Sequence, residues 1–272
     1  MRKWWPLVTI CLGTFMLLVD VTIVNVALPK MAEDLGTSFS ALQWVVDAYA
    51  LSLAALLMGV GSFSDIVGHR RAYIAGLTLF AVSSLVCGIS PNVATLIAAR
   101  AVQGLGAAAM FATTFALLNS SYSGRDRGIA YGMWGAVSGA SAALGPIVGG
   151  LLTEGLSWRW IFFVNLPFSV AAVLLSVAVL SGERPASRAR VDLPGMLTFT
   201  LAAGALTFAA IRATDDGWLS GSVIGLLVLS VLAFVLAELR SDHALLDLGL
   251  FRSRSFVGIM IAALLINFAA FA

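Results

Sequence analysis

The chain has 272 residues, 60% of them hydrophobic and 11% charged, with a formal net charge of +2. Soluble domains carry about 25% charged and about 45–50% apolar residues, so a water-soluble domain of this size is excluded and lipid is the expected solvent. With charge this sparse, its placement along the chain carries more information than its sum.

Met1, Arg2 and Lys3 precede an apolar run over 7–28 that contains Asp20. A secretory signal has an apolar region of only about 7–15 residues, so this run reads as a first membrane helix that is retained. Further helices are predicted over 42–63, 72–89, 93–118, 128–152, 161–180, 193–211 and 223–239, and a ninth begins at 256 and runs to 272. Most approach or exceed the about 20 apolar residues that cross a bilayer. Residues 181–192 are polar and contain Pro185, marking a cytoplasmic loop. That loop divides a six-helix bundle (1–180) from a helix pair (193–239), which a second cytoplasmic loop (240–255) separates from 256–272.

The loop charges set an orientation. With the N-terminus inside, Arg2, Lys3, Arg70, Arg71, Arg125, Arg127, Arg184, Arg188, Arg190, Arg240, Arg252 and Arg254 fall on the inner face. Only Lys30, Arg159 and Arg212 fall outside. Twelve against three is a strong positive-inside bias and supports the helix count. The expected location is the cytoplasmic membrane, multi-pass.

Two charges remain within apolar runs: Asp20 in the first, Arg100 in the fourth. A charge at mid-membrane depth costs at least about 2.5–3.5 kcal/mol on insertion scales and usually marks a pathway or a relay. Counting from Pro29 and Asn92 places them about 13 and 12 Å from the outer end, and Asp47 on the second helix about 10 Å in. Three ionisable groups on three helices then share one layer, where a water-accessible polar hollow is expected. As a structural group Asp20 pairs with Arg100 and holds helices together. As a functional group it takes and releases a proton, because desolvation disfavours the charged carboxylate while a neighbouring arginine favours it. We favour the second. Arg100 keeps its charge and would tune that carboxylate or contact substrate. Asn25 and Gln103 offer neutral hydrogen bonds, and Gln103 shares a helix face with Arg100. Asp47 reads equally as a solvated helix end.

The second and third helices are joined by Gly61-Ser62-Phe63-Ser64-Asp65-Ile66-Val67-Gly68-His69-Arg70-Arg71. A carboxylate closes one helix, Gly68 can make a tight turn, and Arg70 and Arg71 open the next. Read alone, the arginines serve equally as topology signals. Gly104-Leu105-Gly106 lies in an apolar helix with no preceding strand, so a dinucleotide fingerprint is rejected. Small residues here, and Gly135, Gly139, Gly145, Gly149 and Gly150 on the fifth helix, let helices approach closely in lipid; Pro146 can kink that helix. Cys11 and Cys87 read as small packing residues. His69 and His243 fall in polar loops, without metal-ligand spacing. Trp4, Trp5, Trp158, Trp160 and Trp218 sit near predicted interfaces. Trp44, Tyr49 and Trp134 read as packing residues more readily than as cavity walls.

The 61–71 loop resembles the signature between helices two and three of the major facilitator superfamily. Arg100-Ala101-Val102-Gln103-Gly104-Leu105-Gly106 is similar to its helix-four motif. Gly135, Gly139 and Gly145-Pro146-Ile147-Val148-Gly149-Gly150 resemble its antiporter motif. Asp20-Val21-Thr22-Ile23-Val24-Asn25-Val26-Ala27-Leu28-Pro29 and Trp158-Arg159-Trp160-Ile161-Phe162-Phe163-Val164-Asn165-Leu166-Pro167 resemble motifs of its fourteen-helix drug:proton antiporter branch. The segment from Leu245-Leu246-Asp247 to Leu250-Phe251-Arg252 adds a weaker likeness.

The resemblance implies an all-α polytopic membrane protein with the major facilitator fold: an N-terminal six-helix bundle built from two inverted repeats, two linker helices and an incomplete ninth helix. It implies export of hydrophobic or cationic small molecules, drugs or antibiotics, in exchange for protons. The proton is the coupling ion and no cofactor is needed; the partners are a small-molecule substrate and membrane lipid, with no nucleic acid. Family members carry a second six-helix bundle, and alternating access needs two bundles. The chain is therefore expected to be a fragment or an incomplete gene product that does not transport alone. A proton-coupled uptake carrier of the same fold is the rival. An intramembrane enzyme lacks a nucleophile with a base, buried histidine and a G-x-S-x-G element.

Overall fold

A computed structural model describes residues 2–181, 193–240 and 253–271. The expectations for Arg184, Arg188, Arg190, His243, Arg252 and the 245–251 segment lie outside the described residues. Every described element is helical: α1 (Trp5–Leu35), α2 (Phe39–Val67), α3 (His69–Gly88), α4 (Val93–Ser121), α5 (Gly124–Gly155), α6 (Trp160–Phe163), α7 (Asn165–Val179), α8 (Leu193–Asp216), α9 (Gly221–Arg240) and α10 (Arg254–Phe271). Among the described residues, seven segments are long and apolar enough to cross a membrane, α6 and α7 counting as one. In lipid a helix satisfies its own backbone groups, which is why irregular backbone is confined to short joints.

Local chemistry sets the joints. Ser38 caps α2 by accepting from the Ala41 N–H at 3.3 Å, and Asn92 caps α4 by accepting from Thr95 N–H at 2.9 Å. Gly68 alone joins α2 to α3, at φ +96°, a conformation that side chains resist. His69 is therefore the first residue of α3 rather than part of a loop.

Two boundaries depart from the sequence reading. Pro29 does not end the first helix, which continues to Leu35. Proline removes one backbone donor, but Leu28 and Met31 around it are buried in the core, and Asp34 is held by Trp158 and Arg159. Asp20 consequently sits fifteen residues from either end of α1, about 22 Å from each, deeper than the 13 Å expected. The sixth span is broken at Val164. Pro167 supplies no N–H for the Phe163 carbonyl one turn earlier and its ring crowds that oxygen, so α7 starts afresh at Asn165.

α4 lies between α2 and α3, and α1 packs on α5 and α7. Gly104 makes the α2 contact possible: a Cβ there would sit 2.5 Å from the Tyr49 carbonyl oxygen. The Tyr122 hydroxyl accepts from Leu7 N–H at 3.0 Å and donates to the Lys3 carbonyl at 3.1 Å, tying the start of α1 to the end of α4. Burial pushes the Tyr122 phenol above its usual range. Two apolar clusters result within the first six spans, one around Ile10, Met16, Tyr73, Leu77 and Phe80, the other around Ile23, Leu42, Val45, Leu96 and Phe162, and a smaller one forms around Ala209, Ala213 and Val223. Asp20 lies at the seam of the first two. α8 and α9 form a hairpin, pinned by Ser230 donating to the Ala202 carbonyl at 2.8 Å, and α8 packs on α2, where Trp44 meets Phe208 at 5.8 Å.

Candidate functional site at the seam of the bundle

Asp20 projects from the middle of α1 towards α4. Its Oδ2 accepts from Arg100 Nη1 at 2.5 Å. Its Oδ1 accepts from Gln103 Nε2 at 3.1 Å and from Asn165 Nδ2 at 2.8 Å. Three donors face this carboxylate, as suits an acceptor-only ionised group. Arg100 also donates through Nη1 to Gln103 Oε1 at 2.8 Å and through Nε to the Val45 carbonyl at 3.0 Å, and its guanidinium carbon lies 4.1 Å from the centre of the Tyr49 ring. Ser84 Oγ accepts from Gln103 and Asn165, at 2.8 and 3.0 Å.

Asp20, Arg100 and Gln103 have no exposed surface at all. The water-accessible hollow expected from the sequence is here a packed core. Tyr49, Phe162 and the closely approaching α2 backbone fill the space around the guanidinium. A buried ion pair keeps its charges only when hydrogen bonds satisfy the remaining donors and acceptors. The bonds to the carboxylate and to Arg100 Nε and Nη1, together with those of Ser84 to the two amides, draw on five helices: α1, α2, α3, α4 and α7.

Two expected members stand apart. Asn25 is exposed; five residues beyond Asp20 on an α-helix is about 140° round the axis. Asp47 is half-buried and within electrostatic reach of Asp215 on α8, not of Arg100. It is two residues from Val45, so it leaves the opposite side of α2. Three members were not singled out as site residues. Asn165 stood within a quoted motif, its amide isolated among apolar neighbours, and that was a usable signal. The stacked Tyr49 reads as a packing residue more readily than as a cavity wall, and Ser84 carries no signal.

The remaining motif residues occupy other surfaces. Gly61 and Asp65 line a cavity of about 440 Å³ between α2 and α4 with His69, Phe111 and Phe115. Asp65 Oδ1 lies 3.6 Å from His69 Nε2. Arg70 donates to the carbonyls of Val177 at 2.6 Å and Ser176 at 3.4 Å, closing the end of α7, while Arg71 is exposed. Gly145 and Gly149 press on α1, where a Cβ on Gly149 would lie 2.9 Å from Ile23 and one on Gly145 would collide with Thr22. Gly135, Gly139 and Gly150 have open space beside them, and Pro146 is exposed. At the far end of the bundle from Trp5, Asp34 accepts from Trp158 Nε1 at 2.9 Å and Arg159 Nη1 at 2.5 Å, and Arg159 also donates to the Ser90 carbonyl at 3.3 Å. The second quoted branch motif thus contributes an end clamp through Trp158 and Arg159 and a site residue through Asn165.

Known proteins share this plan. The chain is 38% identical over 249 residues to the multidrug resistance protein Stp of Mycobacterium tuberculosis, covering 90% of this chain and 46% of that one. It is 42% identical over 258 residues to the puromycin resistance protein pur8 of Streptomyces alboniger, covering 93% and 51%. The chain thus spans about half the length of these curated relatives. Among solved structures, a peptide transporter POT in complex with sulfate superposes with a TM-score of 0.65 at 18% identity, over 87% of this chain and 53% of that one, a likeness of fold. Residues 10–272 match the model of the Major Facilitator Superfamily, and this multi-pass membrane chain belongs to that superfamily.

Proposed function

We propose that this chain is the proton-binding half of a secondary exporter that moves hydrophobic or cationic small molecules out of the cell in exchange for protons. The observation that carries the reading is Asp20: a carboxylate at the midpoint of a membrane-length helix, paired with Arg100 and shielded from solvent on every side. A structural ion pair at that depth brings little net stability, whereas a carboxylate that can be uncovered and recovered serves as a proton carrier. The names of the relatives, a multidrug and a puromycin resistance protein, support an exporter of small organic molecules.

On this reading the N-terminus faces the cytoplasm, as the distribution of loop arginines favours, and the membrane is the cytoplasmic one. Alternating access needs a second bundle. The open face of α5, with Gly135, Gly139, Pro146 and Gly150, is where a partner helix could approach most closely. No cofactor takes part; the proton is the coupling ion.

The test is pH-gradient-driven efflux of puromycin and of a cationic dye from vesicles that hold the chain together with a second bundle. Asp20→Asn is expected to abolish coupling while leaving the protein folded. Unchanged coupling removes Asp20 from the mechanism, and flux in the inward direction replaces the exporter with an uptake carrier.

A further inference from the structure

Tyr49 is the member of the buried layer that the exchange reaction leaves unused. It leaves α2 one turn after Val45, whose carbonyl holds Arg100 Nε. Arg100 and Gly104 are likewise one turn apart on α4. Two matched pairs therefore face each other: Gly104 brings the α4 backbone down onto the Tyr49 carbonyl, and Arg100 is laid across the Tyr49 ring at 4.1 Å. A guanidinium over an aromatic face is attracted by the ring quadrupole, more so when both are desolvated. Tyr49 is 2% exposed, yet among the described residues its hydroxyl has no hydrogen-bond partner. A buried hydroxyl left without a partner is costly, and native interiors rarely keep one without a reason.

We propose that Tyr49 is a positioning residue of proton exchange: it holds the Arg100 guanidinium while Asp20 is neutral, through its ring face and through a hydroxyl that is left without a partner while the ion pair is closed. The inference rests on the exporter reading and deepens it. When a proton neutralises Asp20, Arg100 loses its counter-ion in a core closed to the surface. The groups facing it are then the Val45 carbonyl on α2, Gln103 on α4, the Cys87 thiol and Ser84 on α3, Asn165 on α7, the Phe162 ring on α6, and Tyr49. Cys87 Sγ is already directed to Gln103 Oε1 at 3.8 Å, and the amides of Gln103 and Asn165 already contact Asp20. The phenol oxygen is the acceptor still unengaged, and it belongs to the ring over which the guanidinium already lies. A group that bonds to nothing in the closed state and accepts from a cation in the open one favours only the open state. That differential contact is what shifts a two-state equilibrium. The proton itself goes onto an Asp20 oxygen and leaves from it; Tyr49 neither gains nor loses one.

The experiment uses the purified chain in lipid nanodiscs and follows the protonated-carboxyl stretch by infrared difference spectroscopy as pH is lowered. Asp20→Asn is expected to remove one band, which assigns it. Tyr49→Phe keeps the ring and its volume and costs the closed state nothing, so the fold persists by circular dichroism. The assigned band is expected to move to more acidic pH, by an amount matching a roughly tenfold loss of proton uptake, the worth of one hydrogen bond to a buried cation. Tyr49→Leu loses the same hydroxyl and moves it in the same direction, and because the ring also lies on Arg100 while the ion pair is closed, it lowers the unfolding midpoint as well. A Tyr49→Phe profile that overlays the parent's, or moves to alkaline pH, overturns the inference and leaves the exporter reading intact. A band that survives Asp20→Asn overturns both.

Discussion

Asn165 Nδ2 and Asp20 Oδ1 are 2.8 Å apart although 145 positions separate them in the chain. The contact exists because the sixth span breaks at Val164, which places Asn165 at the start of α7, within reach of α1 and of Ser84 on α3. Asn165→Ala removes two hydrogen bonds, one of them to a carboxylate. Charge-assisted bonds contribute about 1.5–3 kcal/mol in general, but bonds between membrane helices average nearer 0.6. A loss of about 1–2 kcal/mol is expected, read as a lower midpoint of unfolding in detergent. Wild-type stability in Asn165→Ala would show that Gln103 and Arg100 hold the carboxylate unaided.

Loss of Arg100 should be compensated by neutralising Asp20. Arg100→Leu strands an uncompensated carboxylate in the core and is expected to cost about 3–5 kcal/mol. Combining it with Asp20→Asn removes the stranded charge, so the double variant should be more stable than Arg100→Leu alone. Arg100→Lys is not neutral either, because an ammonium cannot reach the Val45 carbonyl and the carboxylate as the planar fork does. A double-mutant cycle on unfolding midpoints measures the coupling; additive losses would mean that the two groups do not depend on each other.

The helices were legible in the sequence because lipid demands long apolar runs, and the most costly polar residues, Asp20, Arg100 and Gln103, declared the site. What was not legible depended on tertiary contacts. Ser83 and Ser84 are neighbours on one helix: Ser83 donates to the Leu79 carbonyl of its own helix at 2.6 Å, whereas Ser84 joins the site. Nothing in residue type separates them. Pro29 and Pro167 are both prolines in apolar runs, yet the helix passes through the first and breaks ahead of the second. The difference lies in the packing of Met31 and the anchoring of Asp34 beyond Pro29. Asn25 lies five residues beyond Asp20, and a period of 3.6 residues turns it away from that side chain, so its exposed position is legible in the spacing alone.

Arg70 and Arg71 are adjacent in sequence but carry different loads. Arg70 closes the last carbonyls of α7 and places a cation at a helix C-terminus, where it stabilises by about 0.3–1 kcal/mol, up to about 2 when partly buried. Arg71 is exposed. Arg70→Ala should speed amide hydrogen exchange in the last turn of α7, and Arg71→Ala should not. Equal effects would make both arginines topology signals alone.

Glycines on α4 and α5 separate packing within this bundle from packing against something else. At Gly104 an added methyl would meet the Tyr49 carbonyl at 2.5 Å and the Ser52 Cβ at 2.8 Å, so two helix backbones must part. Overpacking of this kind costs about 1–3 kcal/mol, and because Arg100 lies one turn away, the shift also loosens the guanidinium from the Tyr49 ring. At Gly139 an added methyl meets nothing within 4 Å. Gly104→Ala should therefore lower the unfolding midpoint of the chain, while Gly139→Ala should leave it within about 0.5 kcal/mol, as open sites do. Transport by the chain with a second bundle gives the complementary reading. On the proposed exporter reading, Gly139→Ala should slow efflux without destabilising the chain, because its methyl would obstruct only a partner helix. Full efflux in Gly139→Ala would mean that this face of α5 meets lipid rather than a second bundle.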